Sequence, residues 1–246
     1  MTKKIDVLGI NINLVNNDNV LAETEKLLTK KQPIHIVTPN PEHIIQAQQN
    51  LAFKKALNKA DLAIPDGVGV VWAMKRKPQV VGNKLERVTG ADLMIKLCEL
   101  AEKKKWRVGL FGGKQGIATR AKQVLISQFP NLQITVLPHD FDLEDNKKNK
   151  SLIQKINQNK IELLFVALGA PKQELWLSDN IKSMQNLKIG MGVGGAFDFV
   201  TGKVLRAPTW MQQLSLEWLW RLYQEPWRWK RQTRLLEFGW QVLKNC

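Results

Sequence analysis

Along the first two hundred residues, short apolar runs alternate with stretches of helical length, and this alternation most constrains the fold. Ile5–Ile12, Ile34–Val37, Leu62–Ile64, Val108–Phe111, Ile134–Leu137, Leu163–Leu168 and Ile189–Met191 read as strands. Asn17–Thr29, Pro41–Lys59, Gly90–Lys104, Gly116–Phe129, Leu143–Asn157 and Pro171–Met184 carry amphipathic helical patterning. This order predicts an α/β fold with a mainly parallel, Rossmann-like sheet and helices on both faces. Pro171 suits a first helical turn, where its missing N–H loses no partner. With 246 residues, the chain is long enough to bury one full α/β core.

The composition changes near Arg206. Six of the nine tryptophans lie from Trp210 onward, and Pro226 divides the segment into two predicted helices. The expected organisation is therefore an α/β unit over 1–205 and a Trp/Arg-rich helical appendage over 206–246.

Charge narrows the partners. Lys and Arg number 37 against 22 Asp and Glu, a formal net charge of +15. Such a surface attracts nucleic acid, phosphorylated substrates or anionic lipid headgroups, and charge alone does not choose among them. The two cysteines, Cys98 and Cys246, are far apart and have no metal-ligand spacing, which excludes a disulfide scaffold and fits a reducing compartment. The N-terminus lacks the apolar core of a signal peptide, and no run of about 18 apolar residues is present. A cytoplasmic location is expected.

In open α/β sheets, ligands bind at the C-terminal ends of the strands. The glycine- and proline-rich segments fall there: Thr38–Pro41, Pro65–Gly69, Gly112–Gly116, Gly169–Glu174 and Gly192–Gly195. Each alone is a simple turn; together they read as the rim of a site. Asp66 is the sharpest candidate for chemistry. Beside a cleft it can take a proton as a general base; equally, it can cap a helix beginning near Gly67. Gly112 and Gly113 sit in a strand–turn–helix segment suited to a diphosphate, although it is neither a P-loop nor a full dinucleotide fingerprint. Asp140-Phe141-Asp142 has an Asp-x-Asp metal pattern but reads as a polar loop. His35, His43 and His139 are scattered, with no triad spacing.

The tail has two readings. Tryptophan and leucine at helical spacing, as at Trp210, Leu214 and Leu222, ordinarily pack in a core. Trp227 and Trp229, interleaved with Arg228, Lys230, Arg231 and Arg234, suit a membrane interface or a lipid diphosphate. Nucleic acid also favours such a composition.

Together these segments resemble the WecG/TagA/CpsF glycosyltransferases. The resemblance rests on Thr38-Pro39-Asn40, Pro65-Asp66-Gly67, Glu86–Asp92, Gly169–Glu174, Gly192–Asp198, Arg206-Ala207-Pro208, Glu217–Arg221 and Glu225–Arg228, in that order. It implies inverting transfer from a UDP-sugar to a polyprenyl-diphosphate-linked sugar, without a metal or other cofactor. In the teichoic-acid branch it implies UDP-N-acetylmannosamine as donor, undecaprenyl-diphosphate N-acetylglucosamine as acceptor, and a β-1,4 bond. UDP-glucose and UDP-glucuronate are the alternative donors. The resemblance assigns Asp66 as base, Thr38 and Asn40 to the cleft, and Arg87 and Gln173 to substrate contact. It assigns Arg221, Arg228 and Arg231 to an appendage that closes the site at the inner face of the plasma membrane. It also implies homo-oligomer formation in some members. The chemistry agrees: without a metal, the glycine turns, including Gly194 and Gly195, and cationic side chains must stabilise departing UDP.

Three other classes compete. A basic nucleic-acid-binding module explains the charge and the tail but not five polar rims on one sheet edge. A dinucleotide dehydrogenase explains the glycines but lacks the fingerprint. A non-catalytic membrane adaptor does not account for Thr38, Asn40 and Asp66 together.

Overall fold

The computed structural model describes residues 2–80, 85–138, 145–208, 210–211, 216–226 and 229–245, with the backbone but not the side chains of 230–232. In chain order the elements are β1 (Lys4–Val7), β2 (Ile10–Asn13), α1 (Val20–Leu28), β3 (Ile34–Val37), α2 (Pro41–Gln49), α3 (Leu51–Lys59), β4 (Leu62–Ala63) and α4 (Val68–Lys75). There follow α5 (Gly90–Lys104), β5 (Arg107–Gly112), α6 (Ile117–Gln128), β6 (Gln133–Val136), α7 (Asn146–Gln158), β7 (Leu163–Ala167), α8 (Lys172–Asn180), β8 (Ile189–Gly192) and α9 (Ala196–Val200). The C-terminal helices are α10 (Glu217–Gln224) and α11 (Trp229–Lys244).

Six strands form one parallel sheet in the order β4-β3-β8-β7-β5-β6. Alternate residues face opposite layers, as the pleat requires. Ile34, Ile36, Leu163 and Phe165 point into a core with α5 and α6. On the opposite face, Val37 and Ala63 pack with α2, α3 and α4, while Leu164 and Val166 pack with α7 and α8. Both faces are covered, which is why these strands read as continuous apolar runs.

The local differences from expectation have local causes. Ile5–Ile12 is not one strand but the antiparallel hairpin β1–β2. Its turn residues Leu8 and Gly9 have φ 54° and 78°, the paired left-handed conformation that reverses a twisted ribbon. Pro41–Lys59 is two helices, because Asn50 leaves the helical region (φ −132°, ψ 96°) and its side chain caps α3 by accepting from Phe53 N–H. Pro171 is the N-cap of α8, one position before the first helical residue.

The tail folds back onto the α/β unit. Phe238 and Val242 of α11 are buried in the core layer of α2, α3 and α4. Arg234 bonds Glu42 of α2 at 3.1 Å. The helices do divide around Pro226, as expected. Trp210, by contrast, is not core: it is 56% exposed, and Leu222 is only half-buried. Leu214 lies outside the described residues. Among the described residues, no helix is long and apolar enough to cross a membrane.

Phe238→Ala removes the aromatic anchor of α11 and should cost about 3 kcal/mol of local docking energy. The expected result is faster amide hydrogen exchange across Trp229–Lys244, with protection of β5 and β7 unchanged. Unaltered exchange in α11 would contradict this docking.

Candidate active site

The C-terminal ends of β3, β4, β5, β7 and β8 open into one cleft of about 1510 Å³. Its lining brings together Asp66, Thr38, Asn40, Arg87, Gly112, Gly113, Gln173, Gly194, Gly195 and Arg221, residues spread over more than half the chain. Trp227 and Arg228 lie outside the described residues, as does the Arg231 side chain. So do His139 and Asp140-Phe141-Asp142. Among the described residues, no group of three or more His, Cys, Asp or Glu could hold a metal ion.

Asp66 follows β4 and does not cap the helix after it. The N-cap of α4 is Gly67, with φ 93° and no side-chain cap bond. The Asp66 carboxylate instead accepts from Gly90 N–H at the start of α5. Its side chain keeps 26% of its surface exposed. Burial pushes its carboxyl up to about 6; Arg87 and Arg221 oppose that rise, and Glu217 adds to it. A carboxylate so raised and still open to the cleft suits proton transfer near neutrality.

The other expected site residues divide by what their atoms already do. Thr38 is buried beside Gly90, where a Cβ would stand 3.3 Å from the threonine methyl. Asn40 caps α2 by accepting from His43 N–H at 2.9 Å, so its amide nitrogen is the group left for a ligand. Gln173 lines the cleft but ties its walls together. Its Oε1 accepts from Gly169 N–H at 3.1 Å and Gly194 N–H at 3.0 Å, and its Nε2 donates to Glu174 at 2.7 Å.

The glycines act less directly than their sequence suggests. Gly113 N–H is bonded to Ala167 C=O at 2.8 Å, and Gly194 N–H to Gln173. Among the described residues, the N–H groups of Lys114, Gln115 and Gly116, at the entrance to α6, and of Gly195 have no intraprotein hydrogen bond. Of these, Lys114 and Gly195 line the cleft, where their N–H groups are available to an anion. Gly195 also admits Arg221: a Cβ there would lie 2.7 Å from Arg221 Nη2. Arg221 is held by Glu225 at 3.0 Å and lies 4.8 Å over the Phe199 ring.

Sequence reading alone missed the ion chain beside Asp66. Arg87 Nε stands 3.8 Å from Asp66 Oδ1, while Arg87 Nη2 donates to Glu217 of α10. Arg206 grips Asp92 with two bonds, at 2.6 and 2.7 Å, and reaches Glu217 at 3.7 Å. The motif segments held these residues, but no local spacing pairs Arg87 with a carboxylate 130 positions away. His35 is buried in β3 with its pKa lowered to about 4 by desolvation, and His43 packs edge-on to Phe53 at 6.0 Å.

Residues 5–246 match the family described as Glycosyl transferase WecG/TagA/CpsF family. The chain is 33% identical over 211 residues to the N-acetylglucosaminyldiphosphoundecaprenol N-acetyl-beta-D-mannosaminyltransferase of Bacillus subtilis strain 168, covering 85% of this chain and 79% of that protein. It is 32% identical to the enzyme of the same name from Bacillus spizizenii, over 89% of this chain and 82% of that one. With the Staphylococcus aureus MRSA252 enzyme of that name, identity is 30% over 95% of this chain and 89% of the other.

Two measurements check the electrostatics and the bracing. The Asp66 pKa is raised on folding, so ionising it opposes stability: the cost is absent below its ordinary 3.8 and complete above about 6. Asp66→Asn should therefore be more stable by ~1–3 kcal/mol at neutral pH, a gain that fades as pH falls toward 4 in paired melting curves. Gln173→Ala should lose ~3 kcal/mol in denaturant titration, since it orphans two N–H groups and Glu174. Loss under about 1 kcal/mol would mean the brace is dispensable.

Proposed function

The chain belongs to the WecG/TagA/CpsF glycosyltransferase family, and on that premise we propose that it transfers N-acetylmannosamine from UDP-N-acetylmannosamine to undecaprenyl-diphosphate-linked N-acetylglucosamine. The product bond is β-1,4, as in teichoic-acid linkage synthesis. The observation that carries this reading is Asp66: a cleft-facing carboxylate raised to about 6, set among backbone donors and cations that suit a diphosphate.

Asp66 takes the proton of the acceptor hydroxyl as its oxygen attacks the anomeric carbon. The bond from that carbon to the UDP oxygen breaks, and its electron pair leaves with UDP. Attack opposite the leaving group inverts the configuration. The N–H groups of Lys114 and Gly195, with the Arg221 and Lys114 side chains, supply the positive field that a metal supplies in other transferases. Thr38 and Asn40 line the wall nearest the base.

Residues 206–246 serve as the membrane-facing appendage in this reading. Trp229, Leu236, Trp240 and Leu243 form an exposed apolar stripe on α11, opposite buried Phe238 and Val242, and α10 adds exposed Trp218, Leu219 and Tyr223. Arg228, Arg231 and Trp227, whose side chains lie outside the described residues, are assigned to the lipid diphosphate by the family resemblance alone. The protein then works peripherally at the inner face of the plasma membrane, bound through anionic lipid and its apolar stripe.

Release of UDP from UDP-N-acetylmannosamine, with and without a lipid-diphosphate N-acetylglucosamine acceptor, tests the assignment. The expected result is acceptor-dependent release that falls at least ~100-fold in Asp66→Ala. Release only from UDP-glucose or UDP-glucuronate would reassign the donor; release that survives Asp66→Ala would remove the base.

A further inference from the structure

The arginine next to the base has two carboxylates to choose between. Arg87 gives its Nη2 to Glu217, while its Nε faces Asp66 Oδ1 across 3.8 Å, beyond hydrogen-bond reach. That Nε is buried and has no hydrogen-bond partner. A guanidinium free to turn would close on Asp66 with two parallel bonds, the geometry it favours with a carboxylate. Here Glu217 holds it off. Glu217 is itself well enclosed, with 15% of its side chain exposed, and its second oxygen faces Arg206 at 3.7 Å. Arg206 is pinned in turn by its two bonds to Asp92.

We propose that Glu217 is a positioning residue for the transfer reaction: it draws the Arg87 guanidinium away from Asp66 and so keeps the base free to receive the acceptor proton. Glu217 acts chiefly through Arg87, and its own negative charge adds to the effect on Asp66. The device spans two parts of the chain. Asp66 and Arg87 belong to the α/β unit, whereas Glu217 arrives on α10. Docking of α10 therefore does more than cover the cleft. It sets the charge state of the base, and Arg206 on Asp92 fixes the register in which Glu217 arrives. The burial of Asp66 and the adjacent negative charge of Glu217 both favour its protonated form, whereas Arg87 and Arg221 favour the ionised one. Losing Glu217 removes a like charge and releases Arg87 together, so both changes make Asp66 a weaker base.

This inference rests on Asp66 being the base, so its test is separable from the transfer assay. Carboxyl-carbon NMR titration of the full chain, with the Asp66 signal assigned from its loss in Asp66→Asn, follows the base directly in the native protein, Glu217→Gln and Glu217→Asp. The midpoint of Asp66 should fall by about one pH unit in Glu217→Gln. It should fall less in Glu217→Asp, which keeps the charge but pulls it back by one methylene. In turnover of the native donor and acceptor, Glu217→Gln should lose at least ~10-fold in kcat with KM little changed, and the acid limb of its pH profile should move down with the midpoint. Glu217→Asp should fall between the two, and it carries the test alone should Glu217→Gln not fold. An Asp66 midpoint that stays put in both variants would overturn the proposal. If the native protein transfers no sugar, the functional reading fails, and the titration still decides whether Glu217 governs Asp66.

Discussion

A parallel sheet covered on both faces has only its strand ends left to offer a polar ligand. That constraint organises the rest of this molecule. Each crossover returns the chain to the same edge, so β3, β4, β5, β7 and β8 all deliver their C-terminal turns to one place. The strand order matters as much as the direction. The chain runs outward from β3 to β4 on one side and from β5 to β6 on the other, and β7 and β8 then fill the middle. The crevice where the order reverses is the place such sheets bind ligands.

Holding that edge open needs groups whose polarity is spent inside the protein. Gln173 does this for the turns after β7 and β8, with one oxygen serving two backbone N–H groups. Its partner Glu174 is buried, with its carboxyl pushed up to about 7 by desolvation. Gly113 closes onto Ala167 in the same way. The donors left over stand at the start of α6 and at Gly195, so the anion-attracting part of the rim is narrower than its glycine content suggests. The tail supplies the remaining wall. It seats Phe238 in the core and Arg221 against Gly195, and brings Glu217 to Arg87.

Much of this was legible in the residues. The alternation of apolar runs and amphipathic stretches anticipated the layers, and α5 spans the same Gly90–Lys104 in prediction and structure. Thr89 explains that boundary, since its hydroxyl caps the helix by accepting from Asp92 N–H at 3.0 Å. The breaks were harder to see. Leu8-Gly9 and Asn50 interrupt segments whose hydrophobic pattern runs on unbroken, because a turn depends on one or two φ values and not on periodicity. Trp210 differs for another reason: its spacing suits a core, but among the described residues it stands largely exposed.

Sequence alone determined what neighbours in the chain can encode: the α/β layers, the polar turns at strand ends, Asp66 as a carboxylate in one such turn, the basic tryptophan-rich tail and its family resemblance. Tertiary structure removed the cap reading at Asp66, by giving the cap to Gly67 and leaving the carboxylate facing the cleft. It turned Gln173 inward, and it brought Glu217 to Arg87 across 130 positions. The physical reason is one of range. Periodicity and capping act over a few residues, whereas burial, the field on a carboxylate and the choice of an arginine's partner depend on distances that exist only once the sheet has ordered its strands and the tail has docked on it.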